Sequence, residues 1–169
     1  MILTRDAIKK EILSGNIKIE PSIPDEHIQV ASVDLCLGNT FRVFQKAEGV
    51  IEVVESMDYK TITKEIVKEV VILSPGETIL GVTKEKITLP GNICGWLEGR
   101  SRFARLGLLI HISAGLIQPG VSNHQVLEIT NLGPNVLSLH AGERICQLAF
   151  QRCEGSAVYQ GKFQGQIEP

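Results

Sequence analysis

Gln125-Val126-Leu127-Glu128-Ile129-Thr130-Asn131, Leu132-Gly133-Pro134-Asn135, Val136-Leu137-Ser138-Leu139, Ala141-Gly142 and Ile145-Cys146-Gln147-Leu148-Ala149-Phe150-Gln151 are strand-length apolar runs divided by turn residues. The same alternation extends upstream through apolar runs at 32–37, 40–44, 50–54, 66–73, 78–82, 86–89, 95–97 and 108–113. Gly38-Asn39, Ser74-Pro75-Gly76, Leu89-Pro90-Gly91 and Gln118-Pro119-Gly120 punctuate them. Many short strands with frequent turns predict a sandwich or barrel. Only residues 4–13 read as a true helix, with Thr4 as N-cap, Ile8, Ile12 and Leu13 on one face, and Ser14-Gly15-Asn16 as the stop. A brief strand follows at 17–19.

The chain has 169 residues, 43% of them hydrophobic, and a net charge of −2. That composition gives one domain with a real core and excludes a disordered chain. It also argues against a general nucleic-acid binder, which carries a basic excess. No apolar run reaches the length of a membrane span, and Met1-Ile2-Leu3-Thr4-Arg5-Asp6 lacks the pattern of a secretory signal, so a cytoplasmic location is expected. Cys36, Cys94, Cys146 and Cys153 form no Cys-x-x-Cys pair and read as small buried hydrophobes in a reducing compartment. His27, His111, His124 and His140 are scattered. His111, within Leu109-Ile110-His111-Ile112, reads as a core or interface histidine. The His-x-Glu and Pro-Cys-x-x-Cys motifs that hold zinc in metal-dependent base deaminases are absent.

Two features carry chemistry. Gly99-Arg100-Ser101-Arg102-Phe103-Ala104-Arg105-Leu106-Gly107 packs three arginines into nine residues. Guanidinium groups that close repel one another unless an anion sits among them, and a polyphosphate suits their forked hydrogen bonds. A run like residues 100–105 is nevertheless more often a solvated face than a ligand site. Glu128 is a lone carboxylate in an apolar strand. Alternation puts it with Val126 and Thr130 on one face, and Leu127 and Ile129 on the other, a pattern that fits a catalytic pocket or a wetted sheet face. Residues 159–166 are glycine-rich and polar and read as a mobile tail or a lid. The division expected is a β domain over 1–158 with a tail or lid over 159–169.

These residues resemble the dCTP deaminase and dUTPase superfamily. The segment Gly99-Arg100-Ser101-x-x-Ala104-Arg105-Leu106-Gly107 is similar to its Gly-Arg-Ser-Ser-x-Ala-Arg-x-Gly motif. The deaminase branch is matched in order by Ser32-Val33-Asp34-Leu35-x-Leu37-Gly38-Asn39-x-Phe41-Arg42, Ser113-Ala114-x-x-Ile117-x-Pro119-Gly120, Val126-Leu127-Glu128-Ile129-x-Asn131 and Lys162-Phe163-Gln164-Gly165-Gln166. The resemblance implies a mainly β fold, a dUTPase-like distorted β-barrel or jelly-roll with a short N-terminal helix. It implies a homotrimer with nucleotide sites between subunits, acting on dCTP with no nucleic-acid or membrane partner, and dTTP as an inhibitor.

The resemblance assigns Glu128 as general base, and Ser101, Arg105 and the Ala114 carbonyl as groups that orient water and stabilise the intermediate. Partial desolvation is expected to raise the proton affinity of Glu128. Nucleotide contacts are implied for residues 100–105, that is Arg100, Ser101, Arg102, Phe103, Ala104 and Arg105. They are implied also for Gln118, Val126, Leu127, Glu128, Tyr159, Lys162 and Gln166. Magnesium is expected to arrive with the triphosphate, without protein ligands, and zinc to play no part in the reaction. The implied activity is hydrolysis of dCTP to dUTP and ammonia. A bifunctional enzyme that continues to dUMP and pyrophosphate, and a non-catalytic trimeric nucleotide-binding module, are the alternatives. Arg102 stands at the second serine of the motif, Gln118 at an aspartate and Val121 at a common aromatic.

Overall fold

The computed structural model describes residues 1–169. Helix α1 (Arg5–Leu13) buries Ile8 and Glu11, with Asp6 in its first turn and Lys10 in its last, the arrangement the helix dipole favours. Thr4 stands at the N-cap, but its side chain makes no capping hydrogen bond. Strands follow as β1 (Lys18–Glu20), β2 (Val33–Cys36), β3 (Thr40–Phe44), β4 (Thr63–Val67), β5 (Val70–Leu73), β6 (Thr78–Thr88) and β7 (Ile93–Gly99). After the short helix α2 (Ser101–Ala104) come β8 (Leu108–Ile110), β9 (Leu116–Ile117), β10 (Ser122–Asn131), β11 (Leu137–His140) and β12 (Arg144–Arg152).

One sheet runs β4-β3-β6-β10-β8, with β1 also paired to β6. A second runs β2-β12-β7-β9, and β11 pairs with β5. Every ladder is antiparallel. The expected mainly β, dUTPase-like fold is present in its jelly-roll form: the sheets do not close into a barrel.

Three strand expectations change. Residues 50–54 form no strand, and Val50 and Val53 are 90% and 97% exposed, so nothing packs on their apolar side chains. The run 66–73 is broken at Lys68-Glu69, whose backbone is taken by other segments: Lys68 N–H donates to the Asn39 carbonyl and Ala141 N–H to the Glu69 carbonyl. The runs 78–82 and 86–89 are one strand, because β6 pairs with β10 on both sides of a bulge, and with β1 at its end. Sequence patterning also missed β9, only two residues long.

The core is formed where these sheets face each other, and Phe41, Phe150, Leu35, Ile79, Leu127 and Ile129 are almost fully buried in it. A β-bulge between His124 and Val126 shifts β10 against β6. A bulge bends and twists its strand, so consecutive residues Asn123 to Val126 all reach one cavity, which strict alternation would forbid. At the far end of β10, Asn131 is fully buried. Its amide donates to the carbonyls of Leu73 and Asn135, at 3.0 and 2.7 Å, and its oxygen accepts from Gly133 N–H at 3.0 Å. Gly133 in turn lies against Gly107, whose φ is +87° and where a Cβ would come within 2.5 Å of the Gly133 nitrogen. The closing glycine of the arginine segment is therefore required by backbone contact.

Replacing Asn131 with alanine leaves two carbonyls and an N–H unpaired. The expected cost is about 2–4 kcal/mol, read as a lower urea midpoint with an unchanged slope. A midpoint within error of wild type would refute the assignment of Asn131 as the pin of this corner.

Candidate active site

Glu128 stands in the middle of β10, opposite Leu80 of β6. As alternation requires, Leu127 and Ile129 enter the core while Glu128 faces a cavity of about 510 Å³. Its side chain keeps 30% of its exposure, so it stands on the wall of the cavity with part of its surface open. Ala114, Gln118, Val126, Tyr159 and Gln166 line the same cavity, as the sequence reading expected. Leu127 does not: its side chain is fully buried in the core, leaving only its backbone toward the site.

The unexpected member is His111. Beyond Ile110 the β8–β10 ladder continues one step, with His111 N–H donating to the Glu128 carbonyl at 2.7 Å. His111 has a φ of +60°, a left-handed conformation uncommon for a non-glycine residue. Its ring bridges the two groups assigned to the water. Nδ1 lies 3.2 Å from the Glu128 carboxylate, and Nε2 is 2.8 Å from the Ala114 carbonyl oxygen. The Nδ1 contact is ionic and not an aligned hydrogen bond, since Nδ1 has no hydrogen-bond partner. Ile112 N–H donates to the same carboxylate oxygen at 3.2 Å. Both neighbours of the ring are acceptors, so the doubly protonated imidazolium fits best.

The electrostatics correct one expectation. Burial pushes the Glu128 pKa up, but the His111 ring and the Ile112 N–H outweigh it and hold the carboxyl below its ordinary value. Burial likewise disfavours the His111 cation, and the Glu128 carboxylate overcomes that and raises the histidine above its usual value. The ion pair therefore persists from below the ordinary carboxylate pKa to above the ordinary histidine pKa. It is lost by Glu128 protonation at the acid end and by His111 deprotonation at the alkaline end. An imidazole inside an apolar run, just before a Ser-x-Gly turn, was the available signal for His111.

The tail lies over the cavity. Tyr159 N–H donates to the Pro119 carbonyl at 2.9 Å, and His124 N–H to the Gln166 carbonyl at 2.9 Å. The Asn123 amide donates to the Phe163 carbonyl at 2.8 Å, and the Gln164 amide to the Gly120 carbonyl at 3.2 Å. Gly120 has a φ of +77°, and a Cβ there would come within 2.7 Å of Val158. The segment read as loosely held is thus tied to β10 and to the Pro-Gly turn by its backbone. Asn123, His124, Phe44 and Tyr59 also line the cavity, and no motif marked them. Val121 is 5% exposed and packs into the core, so the smaller side chain is still used. Lys162 does not line the cavity but an adjoining groove with Asp58 and Lys60, which shares Tyr59, Phe163 and Gln166 with it; its ammonium is 5.9 Å from the Phe163 ring centroid.

The arginine segment does not line the cavity at all. Arg100 is engaged internally, pairing with Asp34 at 3.0 Å and donating to the Arg144 carbonyl at 2.7 Å. Asp34 is 2% exposed, and a carboxylate so buried needs a cation. The crowding of guanidinium groups is relieved here by a buried carboxylate. Ser101, Arg102, Ala104 and Arg105 are exposed, and neither Arg102 nor Arg105 makes a salt bridge. Phe103 packs against the core and lies 6.0 Å from the Arg100 guanidinium.

A dCTP deaminase-like sequence signature matches residues 2–153. The chain belongs to the dCTP deaminase-like family. A relative named dCTP deaminase in Tolumonas auensis is 44% identical over 161 residues, covering 89% of this chain and 83% of its own. A relative in Parafrankia sp. named dCTP deaminase, dUMP-forming, is 39% identical across 100% of this chain and 88% of its own. Among solved structures, the 2′-deoxycytidine 5′-triphosphate deaminase of Agrobacterium tumefaciens superposes with a TM-score of 0.70 at 22% identity. It covers 90% of this chain, which spans 48% of that one. The native EIAV dUTPase superposes at 0.54 with 21% identity, over 86% of this chain and 96% of its own. These two likenesses concern the fold, and they agree with the jelly-roll arrangement of a dCTP deaminase-like chain.

In the free protein, the His111 ring should titrate above 6.5, the ordinary histidine value. Replacing Glu128 with glutamine removes the anion and should bring that titration down, because burial is then opposed only by the Ala114 carbonyl and the Glu98 charge. NMR of the His111 ring protons through a pH series checks both. An unchanged titration in the variant would show that the pair is not formed in solution.

Proposed function

We propose that this protein hydrolyses dCTP to dUTP and ammonia, with Glu128 as general base. The observation that carries the reading is one carboxylate, half-buried on the wall of a nucleotide-sized cavity, in a chain whose relatives are dCTP deaminases. Glu128 takes a proton from a water that attacks C4 of cytosine. The water oxygen bonds to C4 and Glu128 passes that proton to N3; it then takes the remaining hydroxyl proton and passes it to the exocyclic nitrogen, the C4 carbonyl forms as the C4–N4 bond breaks, and ammonia leaves. The Ala114 carbonyl holds the water in line. The His111 ring contacts both of those groups, so nucleotide binding must move it aside before water is activated.

Ser101 and Arg105 belong to the same chemistry but lie outside the cavity of their own chain. A second copy supplies them, and a closed ring of three such contacts gives a homotrimer with three shared sites. Exposed apolar side chains suit such an interface: Leu106 is 58%, Ile112 51%, Leu116 41% and Trp96 40% exposed. Arg102, Arg105, Lys162 and Gln166 hold the phosphates, Tyr159 and Val126 pack the sugar and base, and Gln118 hydrogen-bonds the sugar. Arg100, Phe103, Ala104 and the Leu127 backbone shape the walls. Magnesium travels with the triphosphate. The cavity holds a single carboxylate, Glu128, and no oxygen cluster of the kind that hard cation prefers. A pyrimidine triphosphate such as dTTP offers the same phosphates and would compete. No helix is long and apolar enough to cross a membrane, and we place the enzyme in the cytoplasm.

The product is dUTP, not dUMP. Gln118 can hydrogen-bond to water at the phosphates but cannot take its proton. Glu128→Gln should lower ammonia release by roughly 10²–10⁴-fold while nucleotide binding persists. A variant retaining half of wild-type turnover would remove Glu128 from this role. Chromatography of the wild-type products should show dUTP, and rapid dUMP and pyrophosphate formation would establish the bifunctional reaction instead. Wild type releasing no ammonia would leave a nucleotide-binding module.

The shared site makes a separate demand. Arg105→Ala and Glu128→Gln should each be inactive alone. Unfolded and refolded together, they should regain activity, because mixed trimers contain sites with both native residues. Failure of the mixture, with mixed trimers confirmed by native mass spectrometry, would place Arg105 and Glu128 in the same chain's site.

A further inference from the structure

The end of β2 and the middle of β6 bring together three side chains that deamination does not use. His27 ends the 3₁₀ turn Asp25–His27, Cys36 closes β2, and Glu85 lies in β6. Their ligating atoms all lie within 4.8 Å of one another. None of the three lines the Glu128 cavity. Cys36 and Glu85 are 6% and 3% exposed.

Two groups here are left uncompensated. The Glu85 carboxylate accepts the Cys36 N–H at 2.8 Å, but no lysine or arginine pairs with it. The His27 Nδ1 atom is buried without any hydrogen-bond partner. A buried carboxylate without a cation and a buried imidazole nitrogen without a partner are both costly. Reading Cys36 as a small buried hydrophobe explains its burial and neither of these. One divalent cation satisfies both.

The geometry points to a metal site formed by His27, Cys36 and Glu85, for a borderline-soft divalent ion of the zinc class. A thiolate, an imidazole and a carboxylate are zinc's donors, whereas magnesium and calcium prefer all-oxygen sets. Three protein ligands leave water the fourth tetrahedral position. Zinc bonds of about 2.0–2.3 Å put ligand atoms roughly 3.5 Å apart, so the cluster must tighten by about 1 Å. His27, half-buried in a one-turn element, is the ligand free to move. The charges close: one dication meets one thiolate and one carboxylate. Metal uptake forms the metal–sulfur bond by releasing the thiol proton to solvent.

The site would have a structural effect. Cys36 lies in the sheet of β2 and β12, and Glu85 in the sheet of β6 and β10. A shared ion ties the two sheets together and fastens the His27 turn to both. It lies apart from the base, so it leaves the attack of water on C4 metal-free.

The test uses the full-length protein stripped of metal by a chelator. Zinc should then bind at one ion per chain and raise the melting temperature. Cobalt(II), used as a probe, should give a thiolate-to-metal charge-transfer band. Cys36→Ser should abolish the band, and both Cys36→Ser and His27→Ala should weaken zinc binding by roughly tenfold or more, at least what losing an outer-shell partner costs. Cys153→Ser should change neither. Far-UV circular dichroism confirms that each variant is folded. Turnover of dCTP by Cys36→Ser should equal wild type with or without zinc, so the metal readouts stand whatever the outcome for the reaction. Cobalt binding with no thiolate band, zinc affinity unchanged in both variants, or a band lost in Cys153→Ser would each overturn the site.

Discussion

The pairing of β10 with β6 is the constraint on which the rest depends. From Val126↔Val82 to Thr130↔Thr78 the two strands stay in register, and a one-residue slip would exchange the two faces of β10. Leu127 and Ile129 would then leave the core, and Glu128 would be driven into it without a partner. Hydrophobic burial on one face therefore fixes the position of the acid on the other. The bulge after His124 adds what alternation alone cannot: a run of consecutive residues turned toward one cavity. The side-chain hydroxyl of Thr83 accepts the Gln125 N–H at 2.9 Å, which satisfies the backbone group the bulge exposes.

A second constraint acts through Asp34. Its carboxylate is almost completely buried, and it collects Arg100 at 3.0 Å, Arg144 at 3.5 Å and the Gln29 amide at 3.3 Å. Taking one arginine inward has a consequence for the segment that follows. Arg100 anchors the start of α2 to β2 and β12, while Arg102 and Arg105 remain outside without salt bridges. The anchored arginine gives the exposed ones a defined origin, and the Gly107–Gly133 contact fixes the other end. A segment rigid at both ends presents its charges in one geometry, which, in the function proposed, lowers the entropy cost of gripping a triphosphate.

The sequence made much of this legible for physical reasons. Strand-length apolar runs and turn residues located β3, β10, β11 and β12 to within a residue or a few, since each buries one face and ends at a turn. The runs at 50–54 and 66–73 misled, because apolar content does not say whether another element will cover a strand. Glu128, Ala114, Gln118, Val126, Tyr159 and Gln166 were readable from motifs and do meet at one cavity. His111 was not, because a histidine in an apolar run is equally a core residue, and its role depends on the left-handed backbone that swings the ring back. The partnership of Arg100 with Asp34 was hidden for another reason: the two are distant in sequence, and local crowding of arginines says nothing about a carboxylate arriving from another strand.

The separation of the exposed arginines from Glu128 within one chain has a physical logic. An arginine beside a catalytic carboxylate in the free protein would form a strong, forked ion pair with it. Such a pair depresses the acid's proton affinity and must be broken for each turnover, and an arginine cannot lose its charge to release it. The histidine that occupies this place holds the same carboxylate through a proton it can give up. Glu128 is thus kept charged and oriented by a partner whose hold weakens whenever its ring deprotonates or is displaced. The permanent cations stay on the exposed segment, where a phosphate-bearing ligand brings the opposing charge with it.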